Sequence, residues 1–256
     1  MNPGALSGKK VLITRAAGTS DEFAAKLREA GAEPFLAPVI AIGPPDDEAG
    51  ADLGVRIVET YAWIVFTSQN GVKAFFERVW AHGDDARALG DTRVAAIGPK
   101  TAESLLRYGI RADFVPERFT GDDVAAGLLE RTLPGDRISL YCAQDFRDAL
   151  AETLRDGERS VDVYPAYKTS PRIDPRNAEL AREAGVWTFA SESSVRGLLA
   201  NLPDAAALSQ EKTVVCIGPV TADGARAAGF AVSAVAEDST VEGLLEILFR
   251  TGAASG

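Results

Sequence analysis

Histidine is nearly absent from this chain of 256 residues, His82 being its single copy. It sits in Trp80-Ala81-His82-Gly83, which reads as a helix C-terminus closed by its glycine, so capping is its ordinary role. One histidine so placed removes most Ser-His-Asp, Cys-His and histidine-metal chemistry. Cysteine is scarce as well. Cys142 and Cys216 each lie in a strand-like apolar run, which suits buried free thiols in a reducing cytosol better than a disulfide or a metal site. No apolar run approaches the length of a membrane span, and Met1 to Lys10 contain no apolar core of a secretory signal. The expectation is a cytoplasmic protein with no membrane attachment. Basic residues are outnumbered, 27 against 37 acidic, and a net charge of −10 argues against a phosphate-binding face for nucleic acid. Neither G-x-G-x-x-G nor G-x-x-x-x-G-K-[ST] occurs, so a nucleotide enzyme would lack its phosphate loop. No metal, nucleotide or flavin is expected.

What the chain does contain is a near repeat of itself. Ile97-Gly98-Pro99-Lys100-Thr101-Ala102 returns 120 residues later as Ile217-Gly218-Pro219-Val220-Thr221-Ala222. Upstream, Phe66-Thr67-Ser68-Gln69-Asn70-Gly71-Val72-Lys73 matches Phe189-Ala190-Ser191-Glu192-Ser193-Ser194-Val195-Arg196. Val11-Leu12-Ile13-Thr14-Arg15 matches Ile138-Ser139-Leu140-Tyr141-Cys142, and Pro38 matches Pro165. So long a period is not that of a solenoid. It describes two similar halves, and two halves facing one another make a cleft.

Short runs apolar on both faces alternate with amphipathic stretches: Val11 to Thr14, Trp63 to Phe66, Val94 to Ile97, Ile138 to Tyr141, Val186 to Phe189 and Val214 to Ile217. Helical stretches follow, the first over Asp21 to Ala30 with Gly31 ending it. The pattern predicts two similar doubly wound parallel-sheet α/β domains. Two proline-containing extended segments, near 33–42 and 161–171, read as paired linker strands, since proline suits edge strands and connectors. The predicted domains are 1–38 with 168–256, discontinuous, and 43–163. The tails, Met1 to Gly8 and Thr251 to Gly256, are expected to fray.

Four turns leave the carboxyl ends of predicted strands and open helices. They are Thr67-Ser68-Gln69-Asn70, Gly98-Pro99-Lys100-Thr101, Ser191-Glu192-Ser193-Ser194 and Gly218-Pro219-Val220-Thr221. Ser, Thr and Gly suit the N-cap, and Pro99 and Pro219 suit the first helical position. Each turn is an ordinary helix start alone. Four in two matched pairs point to an anionic ligand held by N–H groups and helix dipoles. Arg15, Lys100, Arg147 and Lys168 are candidate cations at strand ends or linkers. Tyr167 stands where the first half has Ile40, either as packing or as a phenol offered as a proton donor.

With these motifs in order along essentially the whole chain, the sequence resembles the uroporphyrinogen-III synthase family. The connector Val163-Tyr164-Pro165-Ala166-Tyr167-Lys168-Thr169 joins the set. The resemblance implies two α/β domains joined by a two-stranded ladder, no cofactor, and the substrate hydroxymethylbilane, a linear tetrapyrrole with eight carboxylates. It implies the reaction of that enzyme class, a cyclising lyase: loss of water with inversion of ring D. Tyr167 matches the position that assists departure of the ring A hydroxyl. Thr101 and Thr221 match cleft threonines, and Ser68 and Ser191 match binding turns. A monomer, with transient hand-over from hydroxymethylbilane synthase, is compatible with it. The sequence departs at Glu192, where relatives often carry proline, and at Tyr141-Cys142-Ala143-Gln144, which replaces an arginine- and glycine-containing turn although Arg147 remains. The alternative is a non-catalytic two-lobed cytoplasmic protein that binds a small anion or regulates.

Overall fold

A computed structural model describes residues 6–16, 18, 20–146 and 148–253, so Arg147 and the outermost residues of both tails lie outside it. The strands are β1 (Lys10–Ile13), β2 (Glu33–Leu36), β3 (Ile40–Gly43), β4 (Trp63–Phe66), β5 (Arg93–Ala96), β6 (Arg137–Ala143), β7 (Ser160–Pro171), β8 (Val186–Phe189), β9 (Thr213–Cys216) and β10 (Val232–Val235). The helices are α1 (Asp21–Glu29), α2 (Glu48–Arg56), α3 (Gln69–Ala81), α4 (Pro99–Leu106), α5 (Gly121–Leu129), α6 (Ala149–Asp156), α7 (Pro175–Glu183), α8 (Glu192–Asn201), α9 (Ala205–Leu208), α10 (Pro219–Ala227) and α11 (Val241–Ala253). The chain divides into two compact units, Met1–Ile42 with Ser170–Gly256, and Gly43–Thr169.

Each unit is built on a five-stranded sheet with an apolar cluster on both faces. In the first the order is β10-β9-β8-β1-β2, with parallel pairing throughout. In the second the order is β3-β7-β6-β4-β5, and β7-β6-β4-β5 pair in parallel. The apolar runs explain this directly: every residue of β4 and of β8 is buried. Alternate residues serve opposite faces, as the two-residue period of a strand requires. Ile64 and Phe66 join one cluster and Trp63 and Val65 the other; Leu12 and its neighbours Val11 and Ile13 divide in the same way. Trp187, fully buried, also satisfies its indole N–H on the Ala181 carbonyl at 2.9 Å.

The internal repeat is visible in the sheets. β4 and β5 correspond to β8 and β9, and Phe114 bridges Ala95 in parallel where β10 lies beside β9. The residues Val94 to Lys100 carry the same sequence of buried and open positions as Val214 to Val220. His82 caps α3 at its C-terminus, followed by Gly83 at φ 82°, as expected.

The structure corrects the reading of segment 33–42 and of both tails. Segment 33–42 is not one linker strand. Glu33 to Leu36 pair with Lys10 to Ile13 as the edge strand β2 of the first sheet, where Pro34 costs little, and only β3 runs beside β7. Pro165 lies within the twelve-residue β7, which pairs along β6 and carries the four-residue β3 on its other side. What accommodates it is a shift of register: Cys142 pairs with Pro165, but Ala143 pairs with Tyr167, leaving Ala166 extra. The N-terminal tail also begins its order earlier than expected. Leu6 is buried, its N–H donates to the Ala30 carbonyl at 3.2 Å, and that of Gly8 donates to Gly31. At the other end Thr251 belongs to α11.

Cys142 and Cys216 are both buried and free, and burial pushes each thiol up to about 12. Thiolate is the reactive form. A thiol reagent at pH 8 is therefore expected to leave both unmodified in the native protein and to label both in denaturant. Rapid stoichiometric labelling of either without unfolding would contradict the packing around β6 or β9.

Candidate functional site

The turns at the carboxyl ends of the central strands carry the polar groups of interest, the usual ligand position in doubly wound sheets. In the second unit β4 leads to α3 and β5 to α4. In the first, β8 leads to α8, β9 to α10 and β1 towards α1.

Ser68 caps α3. Its backbone is extended, and its hydroxyl accepts the Gly71 N–H at 3.0 Å. Ser191 caps α8 in the same way, accepting the Ser194 N–H at 3.2 Å, while the Ser194 hydroxyl accepts the Ser191 N–H at 3.3 Å. This reciprocal box settles a helix start by pairing donors that the helix itself cannot. The Ser193 hydroxyl lies 2.8 Å from that of Ser191, so the predicted pair Ser191 and Ser193 do meet. Thr67 is half-buried and Gln69 exposed, on either side of the Ser68 cap.

Gly98 and Gly218 cap α4 and α10 with extended backbone, and proline follows each at the first helical position. An added Cβ would crowd a side chain at each: on Gly98 it would stand 3.2 Å from Phe119, and on Gly218 2.2 Å from the Ser239 hydroxyl. Thr101 and Thr221 are the third residues of these helices and only 5% and 6% exposed. Most buried hydroxyls are paired, Thr14, Thr92, Thr132 and Thr188 among them. By contrast no hydrogen bond joins the hydroxyls of Thr101 and Thr221 to any described residue. Their oxygens are not sealed either, since the one fully sealed, unpartnered side-chain polar atom among the described residues is Arg78 Nε. A buried hydroxyl left open to the surface at a helix start is suited to a ligand's acceptor or donor.

Tyr167 comes from β7. By strand alternation it should face the cluster containing Val161 and Val163; it instead packs with Tyr164 and Ala166 against α3. The extra residue at Ala166 turns it over, as bulges re-aim side chains. Its phenol oxygen lies 3.0 Å from Ser68 Oγ. Tyr167 is 9% exposed. Burial raises its pKa, and the bond to Ser68 opposes that shift. Ser68 and Tyr167, read from separate segments of the sequence, thus meet.

The candidate cations fare differently. Lys168 is taken by the Asp46 carboxylate, which also accepts from Gln144 Nε2 at 2.6 Å, and these bonds hold Asp46 below the ordinary carboxylate range. Lys100 is exposed, 3.9 Å from Glu103. Arg15, at the end of β1, has no ion pair among the described residues; burial lowers its pKa, with Glu22 opposing. Arg147 lies outside the described residues.

Sequence reading missed Ser20 and the Asp46–Gln144 pair. Ser20 is the buried cap of α1, with no side-chain cap bond, and its place after a strand and before an amphipathic run could have flagged it. Gln144 joins Asp46 across 98 residues, which no local pattern encodes. Among the described residues no cluster of three or more His, Cys, Asp and Glu could hold a metal ion, and no helix is long and apolar enough to cross a membrane.

The sequence model of the family described as uroporphyrinogen-III synthase HemD matches residues 21–246. A porphyrin biosynthesis protein HemD of Ruminiclostridium josui is 32% identical over 252 residues, covering 96% of this chain and 49% of that protein. The chain thus spans about half the length of that relative. A uroporphyrinogen-III synthase of Synechococcus elongatus is 31% identical over 255 residues, covering 94% of each. Among solved structures, a mutant uroporphyrinogen III synthase of Thermus thermophilus has the same fold, with TM-score 0.66 and 22% identity over 97% of this chain and all of that one. The Helicobacter pylori protein described as uroporphyrinogen-III synthetase follows with TM-score 0.60 and 15% identity, over 95% and 99%.

Proposed function

The chain belongs to the uroporphyrinogen-III synthase family, and from that premise we propose that it converts hydroxymethylbilane to uroporphyrinogen III. The observation that carries the reading is the matched pair of Gly-Pro helix starts, each with a buried threonine hydroxyl that no described residue engages. The substrate's carboxylates take the first-turn N–H groups of α3, α4, α8 and α10, with Arg15 and Arg147 as cationic contacts. Helix ends suit an anion even on a chain of net charge −10, because the donors are local. Thr67, Ser68, Gln69, Asn70, Ser191, Ser193, Gly98 and Gly218 shape those turns.

Loss of the ring A hydroxyl as water gives an azafulvene cation. Ring D attacks through its substituted carbon, and the spiro intermediate fragments and recloses with ring D inverted. Closure without inversion needs no enzyme, so the protein's task is to hold the chain in the conformation that inverts. Tyr167 donates a proton to the departing hydroxyl. No metal, nucleotide or flavin takes part. The reading extends to a monomer in the cytoplasm that accepts substrate from hydroxymethylbilane synthase. The test is to supply hydroxymethylbilane, oxidise the product and resolve the isomers. Type III in excess supports the proposal; type I alone overturns it in favour of a non-catalytic anion binder.

A further inference from the structure

The two Gly-Pro helix starts match in backbone but not in what surrounds them. Thr120 and Thr240 hold equivalent places, each hydroxyl accepting the N–H of the third residue beyond it, Asp123 at 3.2 Å and Gly243 at 3.0 Å. The residue before each threonine leans on the Gly-Pro turn of its own unit. In the second unit it is Phe119, whose Cβ and Cγ stand 3.2 Å from where a Gly98 Cβ would be. In the first it is Ser239, whose hydroxyl fills the space into which a Gly218 side chain would start. The second helical residue differs in the opposite sense, being Lys100 in α4 and Val220 in α10. Each turn therefore carries one apolar and one polar side chain, with the two positions exchanged. All four are open to solvent, Phe119 at 52% and Val220 at 55%, and neither of these two joins the apolar clusters of its unit.

A small inorganic anion would use only part of such a turn, the first-turn N–H groups and the buried threonine hydroxyl beside them. It would leave Phe119 and Val220 in water, where apolar surface is costly. A ligand that uses the whole turn joins a carboxylate to a flat apolar body, as a pyrrole ring with its carboxylate arm does. We infer that Phe119 and Val220 are substrate-contacting residues. Each lays its side chain against one pyrrole ring whose carboxylate takes the adjacent N–H groups, with Lys100 supporting the carboxylate at α4 and Ser239 the one at α10. This rests on the reaction proposed above. It explains why the repeat preserves one apolar and one polar neighbour at each turn while exchanging where they stand.

The test is steady-state kinetics with hydroxymethylbilane on the full chain, with melting temperatures measured alongside. Phe119→Ala is expected to raise KM about fivefold to tenfold with kcat little changed, the signature of lost binding rather than lost chemistry. Val220→Ala removes two methyl groups and should raise KM about twofold to fourfold. Phe119→Leu keeps an apolar body on the same turn and should recover most of the loss. Because both side chains are open, all three variants should melt close to the wild type. A wild-type KM in either alanine variant overturns the assignment for that residue. A lowered melting temperature with kcat falling as much as KM rises would make Phe119 packing for the Gly98 turn, and overturns it too. Neither result touches the isomer assay on the unaltered chain: type I alone there fails the reaction itself, whereas type III there with unmoved KM in the variants fails only this inference.

Discussion

Gly71→Val is expected to cost the protein both stability and most of its activity. Gly71 is the third residue of α3, and its N–H is the one Ser68 caps. A Cβ there would stand 2.9 Å from the Tyr141 carbonyl oxygen. That oxygen belongs to the backbone of β6, inside a sheet, and cannot rotate aside. The start of α3 must move instead, and overpacking of this kind typically costs ~1–3 kcal/mol. Because Ser68 moves with the helix, its contact with Tyr167 opens as well. The loss of turnover should therefore exceed what the fall in melting temperature explains. Gly185→Ala is the control: nothing lies within 4 Å of its added carbon, and both properties should stay at wild-type values. A Gly71→Val protein with unchanged melting temperature and turnover would refute this description of the turn.

Tyr167→Phe is the second variant with a large expected effect. It removes one oxygen from a ring whose packing against α3 remains. General-acid assistance is commonly worth ~10²–10⁴-fold, but a hydroxyl on a pyrrolic methylene leaves readily by itself, so a loss at or below ~10²-fold is expected. The product should still be type III, because the phenol governs departure of the hydroxyl and not the folding of the substrate chain. The Ser68 hydroxyl is left with one partner fewer but stays bonded to Gly71, so stability should change little. Steady-state kinetics with isomer analysis checks this. Full turnover in Tyr167→Phe would make the residue packing alone.

Much of the fold is legible in the sequence because its signals are local. Trp63 to Phe66 and Val186 to Phe189 are apolar on both faces, and both form strands with those bounds. The four helix starts are legible for the same reason, since Ser, Gly and Gly-Pro cap helices by their own chemistry. What escapes is set by partners distant in the chain. The slip of register at Ala166 depends on how β7 lies against β6, so the meeting of Tyr167 with Ser68, 99 residues away, has no local signature. The capture of Lys168 by Asp46, 122 residues apart, is equally hidden. Ala37, Pro38 and Val39 divide 33–42 between two sheets, a division that depends on which strand edges are open.

The proposal that helix-start turns dictate the product, while Tyr167 only speeds it, is tested most directly by the isomer ratio of Thr101→Ala combined with Thr221→Ala. Both residues are buried at the matched turns, and each substitution removes a hydroxyl that no described residue engages. With substrate fully consumed and the porphyrins oxidised and separated, the account predicts a clear rise in type I at the expense of type III. It also predicts a melting temperature close to that of the wild type. A double variant that still delivers type III alone, at any rate, would contradict it.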